Sequence, residues 1–215
     1  VTPNLSLPVP GDDDPADYVT DTGALADRID LISAPRLTIA NSLPSQRNDG
    51  DEVLYQPSLT LSAGTAVAAD TLLWRLRWMA GPARWSVIGG SPFVGSLPDV
   101  GNVTPAGSYL PMGPTMTGLT PGDYIGSLSV QFNAGAAGQQ LGLALGLNPA
   151  GTWAPQSPSG LTTAPAAGPY NLLLLDVPFT WPGSGVTAVG MMAYVSSGTA
   201  TVQARRMKIR PLRLA

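Results

Sequence analysis

The sequence predicts a mainly β protein: an N-terminal extended arm, a short helix, a small β-hairpin module and a C-terminal jelly-roll-like β-sandwich. Three observations predict it. After Pro35 the apolar residues fall in short alternating runs cut by Gly/Pro turns, the signature of sandwiches and jelly rolls. No helical period appears in that stretch. From Val100 to Ala204, 105 residues carry only two charges, Asp123 and Asp176, where globular domains carry about a quarter charged residues. A nearly neutral surface invites association, because net charge keeps proteins apart in solution. The C-terminal half is therefore expected to sit in an assembly, with sister copies covering much of it.

Residues 1–19 read as a Pro-rich arm. In VTPNLSLPVPG the prolines alternate with Leu5, Leu7 and Val9, which favours an extended path with few internal hydrogen bonds. Such an arm cannot bury its own leucines, so it is either disordered or laid into a groove on something else. Residues 20–34 read as a short helix, started at Thr20-Asp21 and stopped by Pro35. Thr22, Leu25, Ile29 and Ile32 fall at spacings of 3, 4 and 3, a heptad-like seam. So short a helix is marginal alone, so the seam is expected to pack on its own domain or on copies of itself.

Residues 36–98 read as a small β module. Arg36–Ile39, Glu52–Tyr55 and Leu59–Leu61 are short strands. In Leu72–Trp78 the residues Leu72, Trp74, Leu76 and Trp78 share one face, with Arg75 and Arg77 on the other. Ala80–Ala83 is a turn and Arg84–Ile88 the return strand; Gly89–Pro92 closes the module and Leu97–Asn102 reads as a linker. Residues 99–215 read as the sandwich. Tyr124, Leu128, Val130 and Phe132 mark one face of a strand. Leu141–Leu147 places four leucines on a core face and Gly142, Ala144 and Gly146 on a smooth face open to another sheet or chain. A loop rich in Pro, Gly and Ser spans 148–169, and Tyr170–Val177, Val186–Val195 and Thr199–Ile209 complete the strands.

Composition excludes several functions. Residues 1–52 hold ten acids against three arginines, whereas residues 53–215 hold four acids and eight bases, so the two parts differ in sign. No Lys/Arg block lies among aromatics, which disfavours a nucleic-acid partner. The chain has no cysteine and no histidine, which removes disulfides, thiolate metal sites, the commonest zinc ligand and the commonest general base. No cationic stretch followed by an apolar run opens the sequence, so no signal peptide is expected. Polar or turn residues break every apolar run short of a bilayer span, so no membrane insertion is expected either.

The opening PNLSLPVPGDDDPADYVTDTGALADRID resembles the N-terminal segment of tail fibre and minor tail proteins from long-tailed phages of high-GC Gram-positive bacteria, where a PNLxLPxPxxxDPADxxxD start precedes a short helix. GDEVLYQ followed by LLWRLRWMAGPARWSVIGGSPF is similar to the small β module of that group, and ATVQARRMKIRPLRLA to the last strand of its C-terminal domain. The chain departs from the pattern at Tyr18-Val19 and Gly23. The resemblance implies a homotrimeric virion protein, located in the tail with the capsid surface as the alternative. It implies anchoring to other virion structural proteins through Pro3, Asn4, Leu5, Leu7, Pro8, Val9 and Pro10, and a distal β domain turned towards the host, with cell-envelope glycan as a candidate receptor.

The candidate chemistry is sparse, and neither catalytic nor metal-binding residues nor a cofactor are expected. Beyond residue 52 only Asp70, Asp99, Asp123 and Asp176 are acids, and Asp99 and Asp123 fall in turns where backbone bonding is their ordinary task. Asp12–Asp14 and Asn48–Glu52 lack the spacing of a calcium loop. Trp74, Trp78 and Trp85 are expected in a core or inter-subunit face. Trp153 lies in a Gly/Pro/Ser loop with less reason to be buried, and is the candidate receptor contact. Arg205, Arg206, Lys208, Arg210 and Arg213 form a basic end strand, read as a charged edge against unwanted pairing or as a patch for an acidic partner. A phage attachment protein leads; a capsid decoration or head-spike protein is the alternative, and a secreted carbohydrate-active enzyme is third.

Overall fold

The computed structural model describes residue 37 and residues 39–63, 65–67, 73–104, 107–149 and 151–215. The arm over 1–19 and the seam of Thr22, Leu25, Ile29 and Ile32 lie outside the described residues. Residues 39–215 form one compact unit, and no helix occurs among the described residues. The strands are β1 (Ile39–Ala40), β2 (Glu52–Tyr55), β3 (Thr60–Ala63), β4 (Thr65–Val67), β5 (Trp74–Met79), β6 (Arg84–Gly90), β7 (Phe93–Leu97), β8 (Gly101–Val103), β9 (Leu110–Thr117), β10 (Gly122–Ala134), β11 (Gln140–Pro149), β12 (Ala154–Pro155), β13 (Gly160–Thr163), β14 (Gly168–Trp181), β15 (Val186–Val195) and β16 (Ala200–Leu214).

Two sheets pack face to face. In the first, β16 pairs with β10 and β10 with β14, while the other side of β16 pairs in turn with β8, β7 and β6. In the second the order is β3, β9, β15, β11, with β12 and β13 both on the outer side of β11. The sandwich proper thus has layers β7/β8–β16–β10–β14 and β9–β15–β11–β13. From β8 to β16 every connection crosses between layers except β11 to β13, which is the path of a jelly roll. Alternation explains why these residues form it. The leucines of β11, Val189, Met191, Ala193 and Val195 of β15, and Leu128, Val130 and Phe132 of β10 are all buried between the sheets.

The module expected over 36–98 is not separated from the sandwich at residue 98. β7 pairs with Arg205–Ile209, and β8 begins at Gly101, so the expected linker 97–102 runs along β16 as strand ends. The β5–β6 hairpin does form, with Trp78 opposite Trp85 around the 80–83 turn. It extends the β16 sheet through β6, and β2 and β1 follow on β5. A chain of rings crosses the join: Tyr55–Trp74 at 6.2 Å, Trp74–Tyr124 at 6.5 Å and Tyr124–Phe179 at 5.4 Å, the last pair stacked. Two hydroxyls anchor it, Tyr124 donating to the Thr120 carbonyl at 2.6 Å and Tyr55 bonding Thr120 Oγ1 at 2.6 Å. Burial pushes the Tyr124 phenol far above the ordinary tyrosine pKa. The linker reading failed because Gly and Ser in 95–102 look like loop, whereas the long β16 supplies backbone partners for them.

β16 is also not an edge. It lies between β10 and β6–β8, and its basic residues part at an irregularity in the β10 register where Ala204 takes φ +50°. That extra residue turns Arg205 inwards. Its guanidinium is buried and donates to the carbonyls of Met112 and Asp99, tying β16 to the opposite layer. Burial lowers its pKa, against the opposing pull of the Asp99 charge. Arg206, Lys208 and Arg210 alternate outwards and are exposed.

Candidate functional site

The second sheet carries no Asp, Glu, Lys or Arg in any of its strands, yet its outer face is not bare. On that face β11 presents Gly142, Ala144 and Gly146, and β15 presents Ala188, Gly190, Met192 and Tyr194; Gly142 pairs with Tyr194 and Gly146 with Gly190. Ala144, Ala188 and Met192 are buried although they point away from the sandwich core. The covering comes from the chain itself. β12 folds back to pair Ala154 with Leu147 and Pro155 with Gly146, which carries Trp153 over the two glycines.

The glycines make that close approach possible. A Cβ added at Gly146 would lie 3.1 Å from Trp153 Cε3, and one at Gly190 would lie 2.9 Å from Trp153 Cη2. Two atoms of one six-membered ring thus rest over two neighbouring strands, so the indole spans both of them. At the other end of the stripe, a Cβ at Gly142 would lie 2.8 Å from the Tyr109 hydroxyl and 3.0 Å from its Cε1. Tyr109 tilts against Tyr194 with ring centroids 5.5 Å apart. All three rings are half-buried. Gly142 and Gly146 are four residues apart, which separates the two aromatic stations by roughly 13 Å along the strand. One step beyond the Leu147–Ala154 pair, Asn148 Oδ1 is shielded and has no hydrogen-bond partner. The Asn148 carbonyl accepts from Thr187 Oγ1 at 3.2 Å.

The smooth side of β11 was expected to receive another sheet or chain; it receives Trp153 of its own chain. Trp153 is accordingly not a free loop residue, and the expected loop 148–169 contains β12 and β13. Tyr109 and Tyr194 escaped the sequence reading. Tyr194 shows an outward phase in β15, but nothing local announces that Tyr109 sits beside it; only the Leu110–Ala193 register does that.

The remaining expected residues lie elsewhere. Trp74, Trp78 and Trp85 are buried inside the chain, Trp78 and Trp85 edge to face at 5.6 Å, with the Arg47 guanidinium 3.9 Å over the Trp78 ring. The carboxylates serve local bonds. Asp49 accepts from Ala80 N and Asp51 from Asn48 N, Glu52 binds Arg75 and Arg77, Asp123 accepts from Thr180 Oγ1, and Asp176 lies 3.7 Å from Arg210. Asp123 is opposite Thr180, four residues from Asp176 on β14, so the two carboxylates stand roughly 13 Å apart along the strands. That exceeds the ~5–9 Å of a glycosidase pair. Among the described residues no three His, Cys, Asp or Glu side chains gather where a metal ion could be held.

One flank of the sandwich is open. β14 ends its sheet, paired only with β10. Leu173 and Leu175 on it are 64% and 59% exposed, and Leu161 on β13, at the matching end of the other sheet, is 57% exposed. A cleft of about 300 Å³ between these two edges is lined by Leu161, Tyr170, Leu172 and Leu173, among others.

No family model and no curated protein matches the chain. Among solved structures it is similar to the VP2 subviral particle protein of infectious bursal disease virus, at 12% identity and a TM-score of 0.31 over 80% of this chain. The chain spans 41% of that protein's length. Two carbohydrate-binding modules are similar at the same low level. One, described as CBM4, has 10% identity, covers 82% of this chain and 99% of its own and scores 0.24. The other, BiXyn10A CBM1, has 14% identity, covers 75% and 98% and scores 0.21. Likenesses this distant speak to no function.

Proposed function

We propose that the chain is a non-enzymatic virion structural protein, a tail fibre or minor tail protein that assembles as a homotrimer and presents its jelly roll for host attachment. The observation that carries this reading is the open flank. A fourteen-residue edge strand bearing exposed Leu173 and Leu175 beside exposed Leu161 is what a lone soluble protein avoids. Sister copies would cover it. The order of the N-terminal and β-module motifs supplies the link to phage tails, and three joined tips would raise avidity without new chemistry. The arm at Pro3–Pro10 would hold the trimer to other virion proteins.

Light scattering on the full chain is expected to give three copies, and Leu173→Asp with Leu175→Asp is expected to give one copy that stays folded. A wild-type chain that remains single at high concentration would sink the assembly. Labelled protein is expected to stain host cells, and deletion of residues 1–19 to abolish incorporation into particles. Binding to capsids alone would favour a head decoration protein instead.

A further inference from the structure

We propose that the outer face of the second sheet binds an uncharged oligosaccharide across two aromatic stations, Trp153 at one end and the Tyr109–Tyr194 pair at the other. This deepens the attachment reading by naming the receptor class, and rests on that reading only for its biological setting. The Trp153 ring is seated over Gly146 and Gly190. It is half-buried, so part of the indole stays open to solvent. Tyr109 lies across Gly142 in the same manner, flanked by Tyr194. A pyranose ring has an apolar face of C–H bonds that stacks on such a surface, while its hydroxyls stay hydrated or find polar neighbours. Two stations roughly 13 Å apart along one strand let separate sugar units of one chain each meet a ring.

The charge distribution selects the ligand. All six strands of this sheet are uncharged, so an anionic polymer finds no cation there and a cationic one no carboxylate. The exposed cations Arg206, Lys208 and Arg210 belong to the other sheet. Thr152, which is exposed, and Gln156, whose Nε2 donates to the Ala154 carbonyl at 3.2 Å, are the polar side chains nearest in sequence to the indole. Trp74, Trp85 and Trp181 are buried in the core, so a change in tryptophan emission on binding reports mainly Trp153.

The full chain should be screened against linear hexasaccharides of glucose, mannose and galactose, with poly(glycerol phosphate) and hyaluronan as anionic probes, and the bound sugars titrated by tryptophan fluorescence. At least one neutral series is expected to bind, with affinity unmoved by salt, and the anionic probes are not. Trp153→Ala and Tyr194→Ala should each weaken binding roughly tenfold, whereas Trp153→Phe retains most of it. Gly190→Val should push the indole off its seat and abolish binding while the core tryptophans stay buried. Failure of every neutral hexasaccharide at millimolar concentration, or binding unaltered in Trp153→Ala and Tyr194→Ala, would overturn the site. Host-cell staining that survives both substitutions overturns the site and leaves attachment standing. Sugar binding without any staining of host cells upholds the site and removes the attachment reading.

Discussion

The two sheets solve the same problem of an exposed outer face in opposite ways. The β16 sheet shows water charge: Arg206, Lys208 and Arg210 alternate outwards, and Glu52 is clasped by Arg75 and Arg77 on its extension. The β11 sheet shows no charge at all. It reduces its outer side chains to glycine and alanine along β11 and lays the chain's own aromatics over them. A neutral sequence therefore does not by itself require a partner. Part of the surface that composition assigns to sister copies is already covered within one chain, and the open remainder is the β13–β14 flank.

The strongest way to break this contrast is to cut the chain where the sequence places its module boundary. A fragment of residues 99–215 keeps the whole uncharged sheet except β3 but strips β7 from Arg205–Ile209 and removes Trp74 and Trp85 from the core. It is expected to lose cooperative unfolding and near-UV circular dichroism, whereas 39–215 keeps both. A folded 99–215 would restore the separate module. Next in size is a matched pair of substitutions. Trp74→Ala empties a core site and should cost about 3–5 kcal/mol, read as a shifted denaturant midpoint at unchanged slope. Trp153→Ala uncovers a half-buried site and should cost about 1 kcal/mol. Equal losses would mean that the indole over the glycines is core, not covering.

Much of this was legible in the residues. Leu141–Leu147 announces a strand with a core face, and Leu72–Trp78 with Arg84–Ile88 announces a hairpin with its tryptophans inward, because alternation reports burial directly. Three features were not legible, each for a physical reason. Arg205 reads as one more outward cation, since the inward turn depends on a single unpaired residue at Ala204. Residues 97–102 read as a linker, since Gly and Ser form strands when a long neighbour supplies the bonds. Trp153 reads as loop, since its position depends on Ala154 meeting Leu147. Of the candidate site, one ring of three was visible; Tyr109 and Tyr194 become neighbours only through register.

The smallest expected effect is also the one that most directly separates the sheets by charge. Glu52 accepts from Arg77 Nε at 2.9 Å and Arg75 Nε at 2.8 Å, and these two arginines hold its carboxyl below the ordinary value of 4.5. A carboxyl whose folded pKa is depressed contributes stability above its unfolded pKa and loses it as pH falls through the folded value. Glu52→Gln should therefore lower Tm slightly at pH 7, and the gap from wild type should narrow below pH ~4.5 and close in stronger acid. Salt should shrink it too, because the arginines are half exposed. The uncharged sheet has no group that titrates this way, so a gap that persisted unchanged into acid would mean that Glu52 acts through packing. The contrast drawn between the two faces would then rest on shape alone.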